Sequence, residues 1–578
     1  MKSYPEWSKL LPEPGPIDPS ILIDPNLTIK LGKELQKRIG TLPRVEVHAF
    51  HLEFQPGEIV RMLRVQPQSY SEIARAIRAA RTMKLTVRAC GQRTGGDTSI
   101  YGTTPTVLVD CTQLADSPRM EFVNIHRKGE QEETPGLRVL SGVSINELVT
   151  FQLIHKIEIA QSVETTSVWG TVVGAITATT PGLVGPAGGA TGGCLSDEVI
   201  CIRIVDCHGD LITYSSPTEL SSALSTLGLL GVVYDVTLRY KPITLTNVNY
   251  KFIRWSELCD PNSQLLRDSL ANDMFTELIY LPFNSCNVSA EKELTDLNNW
   301  DPMNDEVVVR TGQRVIPPDE DPSNPSVSDS KPREQVHLLD PVFGPEPKAF
   351  VRTPEKTPWL LASAHHYLRC RFQPNPNSTQ FTPWAVNALG KITEPLRQLR
   401  FTTECDQQLN EFPNVVSQIL ELIKELALGG SHKLPNFAVN LGMRIHFTGG
   451  TQTGRLLGVG FEPEAESSIL AHITFNGITN PGPNTMWTQA ATRMTAMILK
   501  QLPRCVPQWK TEWHGLELIT QRYHEVLSKQ VDPLKQLVAI ADRDGVFLNE
   551  LVKSILYTES TFYQNLYRKQ RIDALSRL

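Results

Sequence analysis

The sequence predicts an α+β protein in two unequal parts: an N-terminal part of two α/β subdomains, and a C-terminal part whose antiparallel sheet is flanked by helices. Three observations carry this. A β-rich run breaks into a loop of small residues at 87–102. A second small-residue tract follows at 168–182, about eighty positions later, among buried-strand patterns. Beyond 243 the apolar residues first alternate and then take helical spacing.

Residues 1–55 are Pro-rich and then mixed, and read as an N-terminal extension packed on the body. Residues 56–242 form the first folded part. A strand from Ile59 stops at Pro67, and Ser69 or Ser71 then caps a helix with an apolar face of Ile73, Ala76, Ile77 and Ala80. In the loop that follows, Gly91, Gln92, Arg93, Thr94, Gly95, Gly96, Thr98 and Ser99 put glycines and hydroxyls where backbone N–H groups can surround a pyrophosphate. Arg88, Arg93 and Asp97 flank it; Arg93 is either a phosphate contact or half of a structural ion pair. A buried strand follows at 107–112. The dinucleotide fingerprint G-x-G-x-x-G does not follow a strand here, which disfavours a nicotinamide domain.

The second tract, with Thr171, Gly174, Ala175, Thr177, Ala178 and Thr179, reads as a strand-to-turn junction that lies flat along an extended ligand. A strand containing Ile200, a turn at His208-Gly209-Asp210 and an apolar run to Pro242 close the part. Residues 243–555 form the second part. It has strands to about 311 and a Pro-, Ser- and Asp-dense insertion at 315–347, too polar to bury. A helix at 414–428, strands at 437–447 and 469–475 and a helix at 488–502 follow, and 556–578 is a tail.

Composition narrows the classes. A chain of 578 residues with 20% charged and 40% hydrophobic residues has room for two or three cored domains. A net charge of −6 makes nucleic acid an unexpected partner. The ten cysteines form no C-x-x-C pair and read as reduced thiols. His365-His366, taken as strand neighbours, point to opposite faces and cannot chelate together, so no metal is expected. No uncharged run reaches the roughly 18–20 residues that span a bilayer. The ending Ser576-Arg577-Leu578 is a variant of the S-K-L peroxisomal address, read by an import receptor; cytosol is the alternative.

Five ordered motifs carry a resemblance: Ser141-Gly-Val-Ser-Ile-Asn-Glu-Leu, Thr171-Val-Val-Gly-Ala-Ile-Thr-Ala, Leu195-Ser-Asp-Glu-Val, Val205-Asp-Cys-His-Gly and Leu227-Gly-Leu-Leu-Gly-Val-Val-Tyr-Asp-Val-Thr-Leu. With the loop at 91–99 they resemble the PCMH-type FAD-binding domain of the vanillyl-alcohol-oxidase-type flavoproteins. The C-terminal half resembles the sugar-1,4-lactone oxidase and alditol oxidase branch through the tracts starting at Thr276, Val439, Pro507 and Asp542. The resemblance implies FAD, with the residues named above in the loop, the second tract and Ile200 as its contacts. It also implies a substrate domain that covers the flavin ring.

The chain departs from that pattern in two ways. Relatives bond a loop histidine to the flavin; that slot is Thr94 here, and no histidine lies between His51 and His126, so FAD is expected to be non-covalent. The family pairs a Glu with an Arg two residues later; Arg444 matches, but Gly442 replaces the Glu, and Lys510 falls one residue early. Arg444, Lys510 and His446 are the catalytic candidates, with His514 behind them. The expected function is oxidation of a CH–OH group on a sugar lactone, polyol or related molecule by hydride transfer to flavin, with oxygen or another acceptor. The alternatives are a flavoprotein of the same fold acting on 2-hydroxyacids or in ether-lipid synthesis, whose C-terminal histidine cluster is not evident here, and a catalytically degenerate flavin-binding protein.

Overall fold

The computed structural model describes residues 25–51, 59–91, 106–116, 118–126, 132–163, 170–188, 192–224, 226–286, 299–315, 356–372, 378–386, 396–406, 408–428, 439–449, 469–478, 485–508 and 516–548. The insertion at 315–347 apart from Val315, the catalytic candidate Lys510, His514, the C-terminal tripeptide and most of the first loop lie outside them.

Strands β1 (Val45–His51), β2 (Ile59–Val65), β3 (Thr86–Cys90) and β4 (Thr106–Asp110) form a four-stranded sheet ordered β1-β2-β4-β3. β2, β4 and β3 run parallel, and β1 adds an antiparallel edge with Val45 opposite Val65. Residues 45–51, read from the sequence as part of the N-terminal extension, thus form an edge of this sheet. The expected helix is Tyr70–Thr82, with Ser69 at its N-cap position and Ile73, Ala76, Ile77 and Ala80 buried.

The second subdomain is a five-stranded antiparallel sheet. It consists of β5 (Met120–His126), β6 (Glu133–Leu140), β8 (Val199–Val205), β9 (Leu211–Tyr214) and β10 (Val232–Leu238), ordered β5-β6-β10-β8-β9. β7 (Ile157–Glu158) pairs separately with β11 (Lys241–Pro242). The Ser141–Leu148 motif earns its pattern at a helix start. The Ser144 side chain accepts from the Glu147 amide at 3.2 Å, and Glu147 accepts from the Ser144 amide at 2.8 Å, a capping box for the helix Ile145–His155.

The C-terminal half is built on one antiparallel eight-stranded sheet: β12 (Leu245–Arg254), β13 (Phe275–Tyr280), β14 (Glu306–Val315), β15 (Ser378–Phe381), β16 (Leu396–Cys405), β17 (Met443–Gly449), β18 (Ile469–Ile478) and β19 (Val506–Pro507). Its order is β15-β12-β14-β13-β17-β18-β16-β19. One face is apolar. Leu278, Met443, Ile445, Phe447, Ile473, Phe475 and Phe401 are buried with Val416, Ile419 and Ile423 of the helix Phe412–Leu428 and Trp487, Ala491 and Met494 of the helix Thr485–Gln501. Phe412 meets Phe447 edge-on at 5.3 Å. Both helices lie where their apolar spacing predicts. The pair His365-His366 does not lie on a strand: it sits in the helix Thr357–Phe372, with His365 buried and His366 exposed. Adjacent helical positions point in different directions, so the two rings do not share a face here either; among the described residues there is no group of three metal-binding side chains. All ten cysteines are free and most are buried. Among the described residues no helix is long and apolar enough to cross a membrane.

A long final helix, Leu516–Ala541, returns the chain to the first sheet. Val546 and Phe547 join the N-terminal core, the Val87 amide donates to the Val546 carbonyl at 2.6 Å, and Arg88 donates to the Phe547 carbonyl at 3.0 Å. Arg88 is therefore a buried structural group. The return is shaped by Asp542, which accepts the amides of Val546 and Phe547 at 2.8 and 2.7 Å. Burial, above all, pushes its carboxyl from 3.8 up to about 6. The folded chain thus holds this proton more tightly than the unfolded one. The stabilisation is complete below pH about 3.8 and is lost as pH rises through about 6, a swing of roughly 3 kcal/mol. Asn at 542 does not titrate. The Tm difference between Asp542→Asn and the unmodified protein is expected to move in favour of the variant from pH 4 to pH 7; a difference that stays constant with pH would contradict this.

Candidate active site

The two small-residue tracts meet. Gly91, the first residue of the loop, lies so close to Thr171 that a Cβ on it would collide with the Thr171 hydroxyl and methyl. Gly91→Ala is accordingly expected to cost about 1–3 kcal/mol as the Thr171 cap is displaced, seen as a lower Tm by calorimetry. Gln92, Arg93, Thr94, Gly95, Gly96, Thr98 and Ser99 lie outside the described residues.

The second tract is not extended. Thr171 N-caps a short helix, Val172–Thr177, by accepting from the Gly174 amide at 3.2 Å. The amides of Ala175, Ala178, Thr179 and Thr180 are spent on carbonyls at 171–176, and the Thr177 hydroxyl donates back to Val173 at 2.9 Å. The small residues suggested a strand-to-turn junction, but the Thr171 cap starts a helix turn here. The donors expected from 174–178 are thus internal. What remains is Thr179 and Thr180. Both are 1% exposed, and neither hydroxyl has a hydrogen-bond partner. Thr179 also sits at φ +45°, a conformation costly for a β-branched residue. A strained residue with two adjacent orphaned hydroxyls fits a wall completed by a bound polar molecule. Ile200 is fully buried in β8, its side chain turned toward Gly136 of β6, where a Cβ would lie 2.8 Å from it. Its side chain packs against the neighbouring strand of the sheet.

From this tract the chain runs to the large sheet. The Gly182 amide donates to the Gly193 carbonyl at 2.7 Å, and the Gly185 amide donates to the Met274 carbonyl at 2.8 Å. Gly193 approaches the end of β17, where a Cβ would lie 2.9 Å from the Thr448 hydroxyl. The second face of the large sheet begins there, and it is polar. Glu277, Arg310, Arg400, Arg444, His446, His472, Thr402, Thr448, Thr474 and Asn476 are all at most 2% exposed.

Register arranges them in rows across the strands. Arg310, Glu277, His446, His472 and Thr402 face one another in sequence across β14, β13, β17, β18 and β16. Arg444, Thr474 and Arg400 form the next row, and Asn476 and Gln398 the one after. Arg310 donates to one oxygen of Glu277 at 3.0 Å, and Arg444 donates to the other. Arg310 also stacks 4.7 Å over the Phe275 ring. Arg444 is thus neither solvated nor in a surface ion pair; it lies beneath the core of the site. Its carboxylate comes from β13, 167 positions away, and not from position 442. Gly442 has φ +75°, and a Cβ there would strike the Tyr280 carbonyl, so no side chain fits where the family carries its Glu.

His446 stacks on His472 at 4.8 Å. Burial first, then the guanidiniums of Arg444 and Arg400, hold its ring well below the usual histidine range, so it is neutral at pH 7. His472 bridges two hydroxyls, Thr402 at Nδ1 and Thr448 at Nε2, both at 2.8 Å. Gln508 donates to the Thr402 hydroxyl at 2.8 Å. A hydroxyl can donate and accept at the same time, so Thr402 links Gln508 to the His472 ring and the ring links on to Thr448. The connected side chains run from Gln508 to Thr448, beside Gly193.

Of the sequence candidates, Arg444 and His446 lie on this face; Glu277, Arg310, Arg400, His472 and Thr474, which share it, were not among the candidates. The available signal was polar residues at every second position of otherwise apolar strands: Arg444-x-His446-x-Thr448, His472-x-Thr474-x-Asn476 and Gln398-x-Arg400-x-Thr402.

No family model matches the chain, and no curated protein matches it in sequence. Solved structures do match its fold. Cholesterol oxidase from Brevibacterium sterolicum is similar at a TM-score of 0.65 and 14% identity, over 89% of this chain and 97% of that one. A solvent-stable cholesterol oxidase is similar at 0.63 and 13%, over 89% and 98%. The mixed α/β architecture with several sheets is therefore that of these proteins along nearly its whole length.

Proposed function

We propose that this chain is an FAD-dependent oxidoreductase that oxidises a CH–OH group of a small hydroxylated molecule, with oxygen as the electron acceptor. The observation that carries the reading is Glu277, held between Arg310 and Arg444 and opposite neutral His446, on a buried polar face joined to the strained Thr179 tract. The fold likeness to proteins named cholesterol oxidase supports the reaction class; it does not extend to their substrate.

The described residues fit FAD: Thr179 and Thr180 offer buried hydroxyls lacking partners, and the loop beginning at Gly91 starts against Thr171. These residues, with the small residues of 92–99, would hold it, without a covalent link because Thr94 stands in the histidine slot. When bound, FAD supplies the two-electron acceptor for the hydrogen leaving the substrate carbon. The chain's own groups do the rest. Arg444 beside the substrate oxygen favours alkoxide character. Glu277, the one fully buried carboxylate described on this face, takes the hydroxyl proton. His446 stays uncharged and orients the oxygen. The polar face presented by Glu277 and three arginines supports catalysis over a degenerate binding protein, because the carboxylate missing at 442 is supplied from β13.

Sugar lactones, polyols and 2-hydroxyacids are the candidate substrates. Under anaerobic conditions one of these classes should bleach the flavin absorbance, and air should restore it. Flavin that stays oxidised with every member of all three classes would contradict the reading.

A further inference from the structure

His446 has the task of orienting the substrate oxygen, and a ring that orients another group must itself be held. A histidine side chain turns about two bonds, and the second turns through broad wells, so burial by itself leaves the plane of the ring open. The group lying flat against it is His472. It stands directly opposite His446 on the next strand, β18, and the two rings stack at 4.8 Å and 30°. In the row across the sheet His446 separates it from Glu277, so His472 acts on the reaction only through its neighbour.

His472 is clasped at both ends. Its Nδ1 lies 2.8 Å from the Thr402 hydroxyl on β16, and its Nε2 lies 2.8 Å from the Thr448 hydroxyl on β17, the strand that also carries His446. Gln508 secures the outer end. Its side-chain amide donates to the Thr402 hydroxyl at 2.8 Å, and its backbone amide donates to the Arg400 carbonyl at 3.0 Å. The ring and both hydroxyls are fully buried. A ring bonded to the strands on either side cannot swing without breaking hydrogen bonds in a place that water does not reach, and it therefore forms a rigid plate against His446.

The clasp also meets the other half of the site. A Cβ on Gly193 would lie 2.9 Å from the Thr448 hydroxyl and 2.6 Å from the Gly449 carbonyl. The Gly193 carbonyl in turn accepts from the Gly182 amide at 2.7 Å, on the segment that continues the Thr179 tract. The hydroxyl that holds His472 is thus the one against which the cofactor-side segment packs.

We propose that His472, clasped by Thr402 and Thr448, is a positioning residue for His446: it sets the plane of that ring and, through Thr448, its placement against the segment that follows Thr179. This rests on the flavoprotein reading for the task of His446, but not for the clasp.

The test compares Thr448→Val, which keeps the shape and removes the hydroxyl, with Thr448→Ser, which puts the hydroxyl back, and with His472→Phe, which keeps a stacked ring and loses both bonds. The probes are L-galactono-1,4-lactone, xylitol and glycolate, one from each candidate class, given to the purified full-length holoenzyme. With the probe that is turned over, kcat is expected to fall about tenfold or more in Thr448→Val and His472→Phe while KM stays within about twofold, and Thr448→Ser should recover most of the loss. If His472→Phe does not fold, the two Thr448 variants carry the comparison. Parental kcat in Thr448→Val, equal losses in Thr448→Val and Thr448→Ser, or a change confined to KM would overturn the proposal. Crystal structures of the same variants read the clasp without turnover: the His446 ring should turn by about 30° or more in Thr448→Val and keep its plane in Thr448→Ser. An unturned ring in Thr448→Val would also overturn it. Should no probe reduce the flavin, a turned ring leaves the clasp standing and removes the reaction reading instead.

Discussion

Glu277→Gln is expected to lower kcat/KM by about 10²- to 10⁴-fold while FAD stays bound, because the substitution removes the proton acceptor and little volume. The carboxylate lies between Arg310 and Arg444, all three at most 2% exposed, and no other fully buried carboxylate is described on that face. Its loss also leaves two guanidiniums facing an amide, which should cost about 3–5 kcal/mol of stability. Kinetics and a denaturant titration on the same preparation separate the two effects. Arg444→Met in the Glu277→Gln background should add little to the loss, since the two groups act as a unit. A Glu277→Gln enzyme as fast as its parent would remove Glu277 from the reaction.

The second large effect is expected at Gly442. Installing the acid of the flavoprotein pattern that the sequence resembles, Gly442→Glu, looks on paper like a repair. The structure predicts damage. Backbone at φ +75° disfavours any side chain, and the new Cβ would strike the Tyr280 carbonyl and come within 2.9 Å of Leu281. Strain and crowding together should cost roughly 3 kcal/mol or more, and Gly442→Ala should suffer most of that loss. A lower urea midpoint in both variants is the expected result. A Gly442→Glu protein of normal stability and raised activity would show that the carboxylate belongs at position 442 after all.

Both predictions concern residues whose partners are distant in sequence, which is why the site was only half legible. Local signals worked where the physics is local. The helix Phe412–Leu428 announces itself by apolar spacing, and the Ser144–Glu147 pair by its capping pattern. The meeting of the two small-residue tracts was also expected, and Gly91 does abut Thr171. Glu277 and Arg444, by contrast, are joined only by the pairing of β13 with β17, and no local rule gives the register of strands separated by more than 160 positions. Without register, the polar residues of β16, β17 and β18 look like three unrelated alternations. With it, they form rows.

Two local readings went astray for physical reasons. Residues 172–177 are rich in β-branched side chains yet coil into a helix, because the Thr171 cap and the small residues after it permit one. His365-His366, taken as strand neighbours, belongs to the 16-residue helix Thr357–Phe372. The tract at Asp542, grouped with the substrate half by its resemblance to a motif of that half, closes against β3 of the first sheet. That return places the end of the final helix beside the strand that feeds the Gly91 loop, a contact of 459 positions that no pattern in the chain announces.

The central claim is that the strained Thr179 tract, the Gly91 loop and the polar face of the large sheet enclose one flavin. The most direct measurement is the visible spectrum of the purified full-length protein, followed by acid precipitation and analysis of the supernatant. The account predicts a yellow protein that releases about one FAD per chain into solution. A colourless protein that takes up no added FAD would contradict it.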